Sequence, residues 1–292
     1  MNADYYKHVG DQYAAERKWS AALRAYDRAI SMETHDPETY LGRGMVYYQL
    51  KRYQAALEDF NMVVQLAPLH SGGYLGRGLV YQALHTYKRA LEAYDQLVRL
   101  LPANPEGYFR RGHIHMLIRQ FPEALSDLET ALELKPTHVD ARLDYGVILS
   151  EMGEYEQALR ELNAVLQLQP SNAVIYYYQA QIYQKLGKRE LAEAALTSFL
   201  GLSDHPIWTQ RARIELENLQ QSSAQNPTRI QLKAEEKDQI RNLVKSGKKA
   251  EALKQVVALS GASLMTAKAY LDWLIQEEAA GGEISSNLLS NM

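Results

Sequence analysis

The chain has 292 residues, 46% hydrophobic and 23% charged, a balance that suits one large soluble domain or two smaller ones. It contains no cysteine, which excludes disulfides, thiolate metal sites and cysteine nucleophiles. A formal net charge of −3 gives no overall attraction to nucleic acid or an anionic membrane, and no apolar run approaches the ~18 residues of a membrane span.

The start of the chain, with Asp4 and no apolar stretch, does not read as a secretory signal, so a soluble cytoplasmic protein is expected. From there the sequence repeats. Ala22, Ala56, Ala90, Ala124, Ala158 and Ala192 lie 34 residues apart. So do Gly10, Gly44, Gly78, Gly112 and Gly146, whose next step is Ala180. Pro68, Pro102, Pro136 and Pro170 keep the interval, as do Trp19, Tyr53, Tyr87, Phe121 and Tyr155, a ladder broken at Arg189. Such a unit holds two helices of about 12–14 residues and two short turns. The glycine falls midway in the first helix and the alanine early in the second, where small residues let antiparallel helices approach closely. A helical glycine costs roughly 1 kcal/mol against alanine, so glycines recurring in register imply close packing that offsets the cost. Each proline falls just past the second helix and stops it. Asp36-Pro37-Glu38 and Asn104-Pro105-Glu106 read as N-cap, first helical residue and acidic first turn, and Thr137 with Asp140 is expected to cap the fifth unit.

These residues resemble the tetratricopeptide repeat family, whose pattern is an aromatic, Leu-Gly, Tyr, then Ala, Phe or Tyr, Ala and Pro. The second unit reads Tyr40, Arg43-Gly44, Tyr47, Ala56, Phe60, Val63 and Pro68. The third reads Tyr74, Arg77-Gly78, Tyr81, Ala90, Tyr94, Leu97 and Pro102. His115 and Leu149 replace the Tyr, and Leu128, Leu162 and Leu196 the second aromatic. Six units are placed at 3–36, 37–70, 71–104, 105–138, 139–172 and 173–206, with 207–219 as a capping helix, so that 1–219 is the array. The resemblance implies an all-α fold, a right-handed superhelical solenoid in which first helices line the inner face and ligands lie along it.

It further implies which side chains point inward, at the fifth, ninth and twelfth places of each unit. Lys7, Asp11 and Ala14 come first, then Leu41, Met45 and Tyr48, then Leu75, Leu79 and Gln82. Phe109, His113 and Met116 follow, then Leu143, Val147 and Ser150, then Tyr177, Gln181 and Gln184. The middle of this groove is apolar and rich in Met and aromatics, which invites a hydrophobic peptide or amphipathic helix of a protein partner. The alternative is that some of these side chains pack between adjacent first helices. The Lys and Asn clamp with which some family members hold a peptide carboxylate is not reproduced. Lys7 fits it, but Asp11, Gly42, Gly72 and Gly76 stand at its other places.

Residues 220–231 are polar, with Ser, Asn and Pro, and read as a linker. In 232–278, Ile240, Leu243 and Val244 form one apolar face, Ala250, Leu253, Val256 and Val257 a second, and Ala267, Tyr270, Leu271 and Leu274 a third. Gly247 and Gly261 separate them, which predicts a small three-helix unit, followed by a disordered tail at 279–292. The stretch from Gly247 to Lys268 resembles the helical hairpin of the bacterial ribosomal stalk protein's C-terminal domain, with Lys254 and Lys268 at its basic positions. Val257 departs from that pattern and the flanking strands are missing. That resemblance implies, as an alternative function, contact with a translation GTPase or the ribosome. A self-associating structural array is a third reading. The basic stripe Lys237, Arg241 and Lys245 has no interleaved aromatics, so it reads as a solvated face rather than a nucleic-acid site.

No H-E-x-x-H, phosphate-loop or G-x-S-x-G motif occurs. His113 and His115 are two apart, so a helix points them in different directions. His113 is expected to face the groove and His115 to occupy a buried repeat position. No catalytic residue, cofactor or metal ligand is named.

Overall fold

A computed structural model of the chain describes residues 2–32, 35–224, 230–262, 264 and 266–276, and among these all regular structure is helical. None of the described helices is long and apolar enough to cross a membrane. The chain parts into two compact units, Met1–Pro170 and Ser171–Met292. In the first unit, five hairpins follow one another: α1 (Ala3–Ala15) with α2 (Trp19–Met32), α3 (Pro37–Gln49) with α4 (Tyr53–Leu66), α5 (Ser71–Ala83) with α6 (Tyr87–Leu100), α7 (Pro105–Leu117) with α8 (Phe121–Leu134), and α9 (Val139–Glu151) with α10 (Tyr155–Leu168). Each second helix also packs on the first helix of the next hairpin, α2 on α3 through α8 on α9.

Local chemistry sets the helix ends. Asp36 accepts from the backbone N–H groups of Glu38 and Thr39, and Asn104 from that of Glu106, with Pro37 and Pro105 opening α3 and α7. The expected Thr137 cap is not used. His138 is the N-cap of α9, its Nδ1 accepting from the Ala141 N–H at 3.3 Å, because it stands immediately before the first helical residue.

The turn inside every hairpin is the same. Arg17, Lys51, His85, Arg119, Gly153 and Gly187 all have positive φ, again 34 residues apart. In each turn that residue's N–H reaches back three residues and the next N–H reaches back five, as in Lys51 to Tyr48 (2.9 Å) and Arg52 to Tyr47 (2.8 Å). This is the Schellman closure, which satisfies the last carbonyls of the first helix. In units one to four, non-glycine residues accept the left-handed conformation that it requires.

The ladder glycines explain how closely the two helices of a hairpin lie. A Cβ on Gly10 would stand 2.6 Å from the Tyr26 ring, and one on Gly44 2.8 Å from Phe60. Gly78 faces Tyr94 in the same way. Where the aromatic gives way to leucine the space relaxes: at Gly146 the nearest atom, on Leu162, would be 3.3 Å away. In the sixth unit leucine again takes the aromatic's place, as buried Leu196, and there the glycine itself becomes buried Ala180.

Charged links join successive hairpins. The Arg43 guanidinium donates to both Asp59 oxygens, at 2.9 and 2.7 Å, and to Asp27 at 2.7 Å. Arg111 does the same with Asp127, at 2.8 and 2.6 Å, and Asp95, at 2.8 Å. Each arginine thus ties its own hairpin's second helix to the preceding one through a planar fork. Burial pushes the Asp59 carboxyl up, against the pull of Arg43.

In the second unit, α11 (Ala173–Lys185) and α12 (Arg189–Leu202) form the sixth hairpin, and α13 (Pro206–Ala224) packs on α12. This last helix outruns the expected cap at 207–219 and takes up the start of the expected linker. Three further helices, α14 (Ala234–Lys245), α15 (Lys249–Ser260) and α16 over 266–276, share one core built on Ile240, Val256, Tyr270, Leu271 and Leu274. Ile230 and Leu232 are buried in it, so the chain is engaged before the helical unit expected from 232 begins. Gly261 ends α15 in the left-handed conformation, φ 63°, and Gly247 follows α14 at φ 76°. The expected tail at 279–292 lies outside the described residues.

Candidate partner-binding face

On the first unit's first helices, Leu41, Met45, Tyr48, Leu75, Leu79 and Gln82 are all partly exposed, as are His113, Met116, Leu143 and Val147. These residue types lie on one side of each helix, and successive first helices touch, α1 with α3, α3 with α5 and α7 with α9. Two of the expected contact residues are elsewhere. Phe109, 6% exposed, belongs to the core with Leu128, Ala131 and Ile148, its ring 4.7 Å from that of His138. Tyr177, 4% exposed, packs between Phe199 and Trp208 in the second unit and donates its hydroxyl to Glu215 at 2.8 Å. Both are corrections: each ring is taken up by the next helix or its start, where His138 meets Phe109 and Trp208 and Glu215 meet Tyr177. Gln181, in the second unit, is partly exposed.

The polar residues along this face are fixed in place. Tyr94 donates to the Gln82 side-chain oxygen at 3.1 Å, and burial raises its phenol above the ordinary range. His113 Nδ1 lies 2.6 Å from Asp144 on α9, tying the first helices of units four and five together. His115 is partly exposed rather than buried, and its Nδ1 lies 2.8 Å from the Gln120 oxygen in the turn.

At the unit-one end is a hollow of about 250 Å3 lined by Asp11, Ala14, Tyr26, Gly42, Met45 and Gln49, among others. Tyr26 donates to Asp11 at 2.8 Å, and burial first, then this bond, raise its pKa. The hollow exists because position 42 has no side chain: a Cβ there would stand 2.8 Å from the Tyr26 ring. In the C-terminal helices, Lys254 on α15 and Lys268 on α16 are exposed.

Nothing in this arrangement assembles a nucleophile with a base. What it offers is a row of apolar, deformable side chains on a rigid support. Three family models described as tetratricopeptide repeat match residues 11–78, 75–137 and 119–182. Together they run unbroken from 11 to 182, more than half of the chain, and the chain belongs to the tetratricopeptide repeat family.

Solved structures agree in fold. MamA 41-end from Desulfovibrio magneticus RS-1 is 23% identical, with a TM-score of 0.54 over 58% of this chain and 96% of its own. YrrB, described as a TPR protein with an unusual peptide-binding site, is 23% identical, with a TM-score of 0.53 over 65% of this chain and 99% of its own. A tetratricopeptide repeat protein from Parabacteroides merdae is 18% identical, with a TM-score of 0.63 over 94% of this chain and 98% of its own. Among curated proteins none matches the chain.

Proposed function

We propose that the chain is an interaction scaffold that holds an apolar peptide or amphipathic helix of a partner protein against the first helices of residues 1–170. The observation that carries this is the run of partly exposed Leu41, Met45, Leu75, Leu79 and Met116, apolar side chains that keep an open side while all but Leu79 also rest on the cores of their hairpins. Methionine and leucine side chains adapt to a helical or extended apolar ligand, and a few of them suffice as anchors. The likeness to YrrB, described with a peptide-binding site, supports the same reading.

The test is selection of displayed peptides on the full-length protein, repeated with Met45→Glu and Leu79→Glu combined. Selected peptides should carry apolar residues at helical or alternating spacing. The double variant should lose at least about tenfold in affinity while its helicity is retained and its melting falls by no more than the loss of the Met45 contact with the Phe60 core. Undiminished binding by the variant would remove this face from the account.

A further inference from the structure

Arginine stands immediately before the ladder glycine in three consecutive repeats, as Arg43, Arg77 and Arg111. For two of them the structure supplies carboxylates from both sides: Asp27 and Asp59 around Arg43, Asp95 and Asp127 around Arg111. These acids lie 16 residues before and after their arginine. Around Arg77 the same two places hold Asn61 and Ala93. Its Nε is buried with no hydrogen-bond partner, and Arg77 forms no ion pair among the described residues. The near feature is the Tyr74 ring, whose centroid is 6.0 Å from the guanidinium carbon. A partly buried guanidinium donor without an acceptor is unfavourable, and a carboxylate is the acceptor that the two sister arginines take.

Charge points the same way. Residues 71–104 hold four basic residues, Arg77, Lys88, Arg89 and Arg99, against two acids, Glu92 and Asp95, whereas none of the other five repeats is net positive. Arg77 is also two residues from Leu75 and from Leu79, which at 3.6 residues per turn puts it on the opposite side of α5.

We propose that the seam of α5 with α4 and α6, beside Arg77, receives a carboxylate from outside the chain, an aspartate or glutamate side chain in an acidic segment of a protein partner. This contact is separate from the apolar face. The acidic side chain makes with Arg77 the bond that Asp27 and Asp59 make with Arg43. In each sister site the nearer aspartate takes two of the guanidinium's N–H groups and a second aspartate takes a third.

The experiment follows the arginine Nε–H resonances of the full-length protein by NMR while hexaglutamate is added, with sodium phosphate and sodium chloride at matched ionic strength as separate arms. The Arg77 resonance should move saturably with hexaglutamate while those of Arg43 and Arg111 stay in place. Asn61→Asp supplies a carboxylate from within at an exposed position, so it should displace the Arg77 resonance in advance and weaken the hexaglutamate response about tenfold. In Arg77→Gln, read by calorimetric titration because the reporting resonance is gone, the saturable binding of hexaglutamate should be abolished. An Arg77 resonance that moves no more than its two counterparts overturns the proposal. So does saturation by phosphate with hexaglutamate inert, or an undiminished response in Asn61→Asp.

Discussion

Gly44 presents bare backbone to the ring of Phe60: a Cβ at position 44 would stand 2.8 Å from Cε1, closer than any carbon contact tolerates. At Gly146 the corresponding neighbour is Leu162, at 3.3 Å, a gap that a small shift accommodates. Gly44→Ala should therefore destabilise by about 1–3 kcal/mol through overpacking. Gly146→Ala should come out near neutral, because the roughly 1 kcal/mol gained in helix propensity offsets the tighter contact. Urea unfolding of the two variants beside the parent measures the difference. Equal losses would mean that ring size does not set the hairpin spacing.

The hairpin turns make a second prediction. Lys51 and His85 sit at φ 57° and 55°, in a conformation that side chains resist and glycine adopts freely. Lys51→Gly and His85→Gly should each raise stability by about 0.5–1 kcal/mol, and Gly153→Ala should lower it by about 1 kcal/mol. Thermal melting distinguishes these signs directly.

The arginine forks make a third. Asp59 is 4% exposed, so Arg43→Met leaves a buried carboxylate without its counter-charge, and the cost should be about 3 kcal/mol. Arg77 has no carboxylate to abandon, and Arg77→Met should cost less than about 1 kcal/mol. A denaturant series on both variants tests the contrast, which fails if the two losses are alike.

Alkaline titration provides a fourth. The Tyr145 phenol is pushed up to about 12 by burial, and then by its bond to Glu129 at 2.8 Å. Because the folded pKa lies above the free value of 10.0, its contribution to stability is complete below pH 10 and disappears as the pH passes through about 12. Phenolate absorbance should show one late-ionising group fewer in Tyr145→Phe, those of Tyr26 and Tyr94 remaining. An unaltered titration in that variant would contradict the assignment.

The hairpins could be read from the sequence because Gly, Ala and Pro mark helix contacts and helix ends chemically. Asp36 and Asn104 cap as their side chains dictate. The turn residues carry no such mark: nothing about Arg17 or Lys51 announces positive φ, and only their spacing from Gly153 and Gly187 reveals them. The Arg43 and Arg111 forks were visible only as acids 16 residues away on either side, a separation fixed by hairpin geometry rather than by local pattern. Repeat position alone put Phe109 and Tyr177 on the surface. Aromatic partners outside the repeat pattern take them into the neighbouring seam, where His138 meets one ring and Trp208 the other, while Tyr48 stays partly exposed.

The most direct test of the central claim is methyl NMR of the full-length protein titrated with a peptide selected on it. Met45, Leu79 and Met116 methyl signals should shift saturably, while those of Leu128 and Leu162, buried between the helices of their hairpins, stay where they are. Shifts confined to second-helix surfaces, with those three methyls unmoved, would contradict a partner held on the first helices.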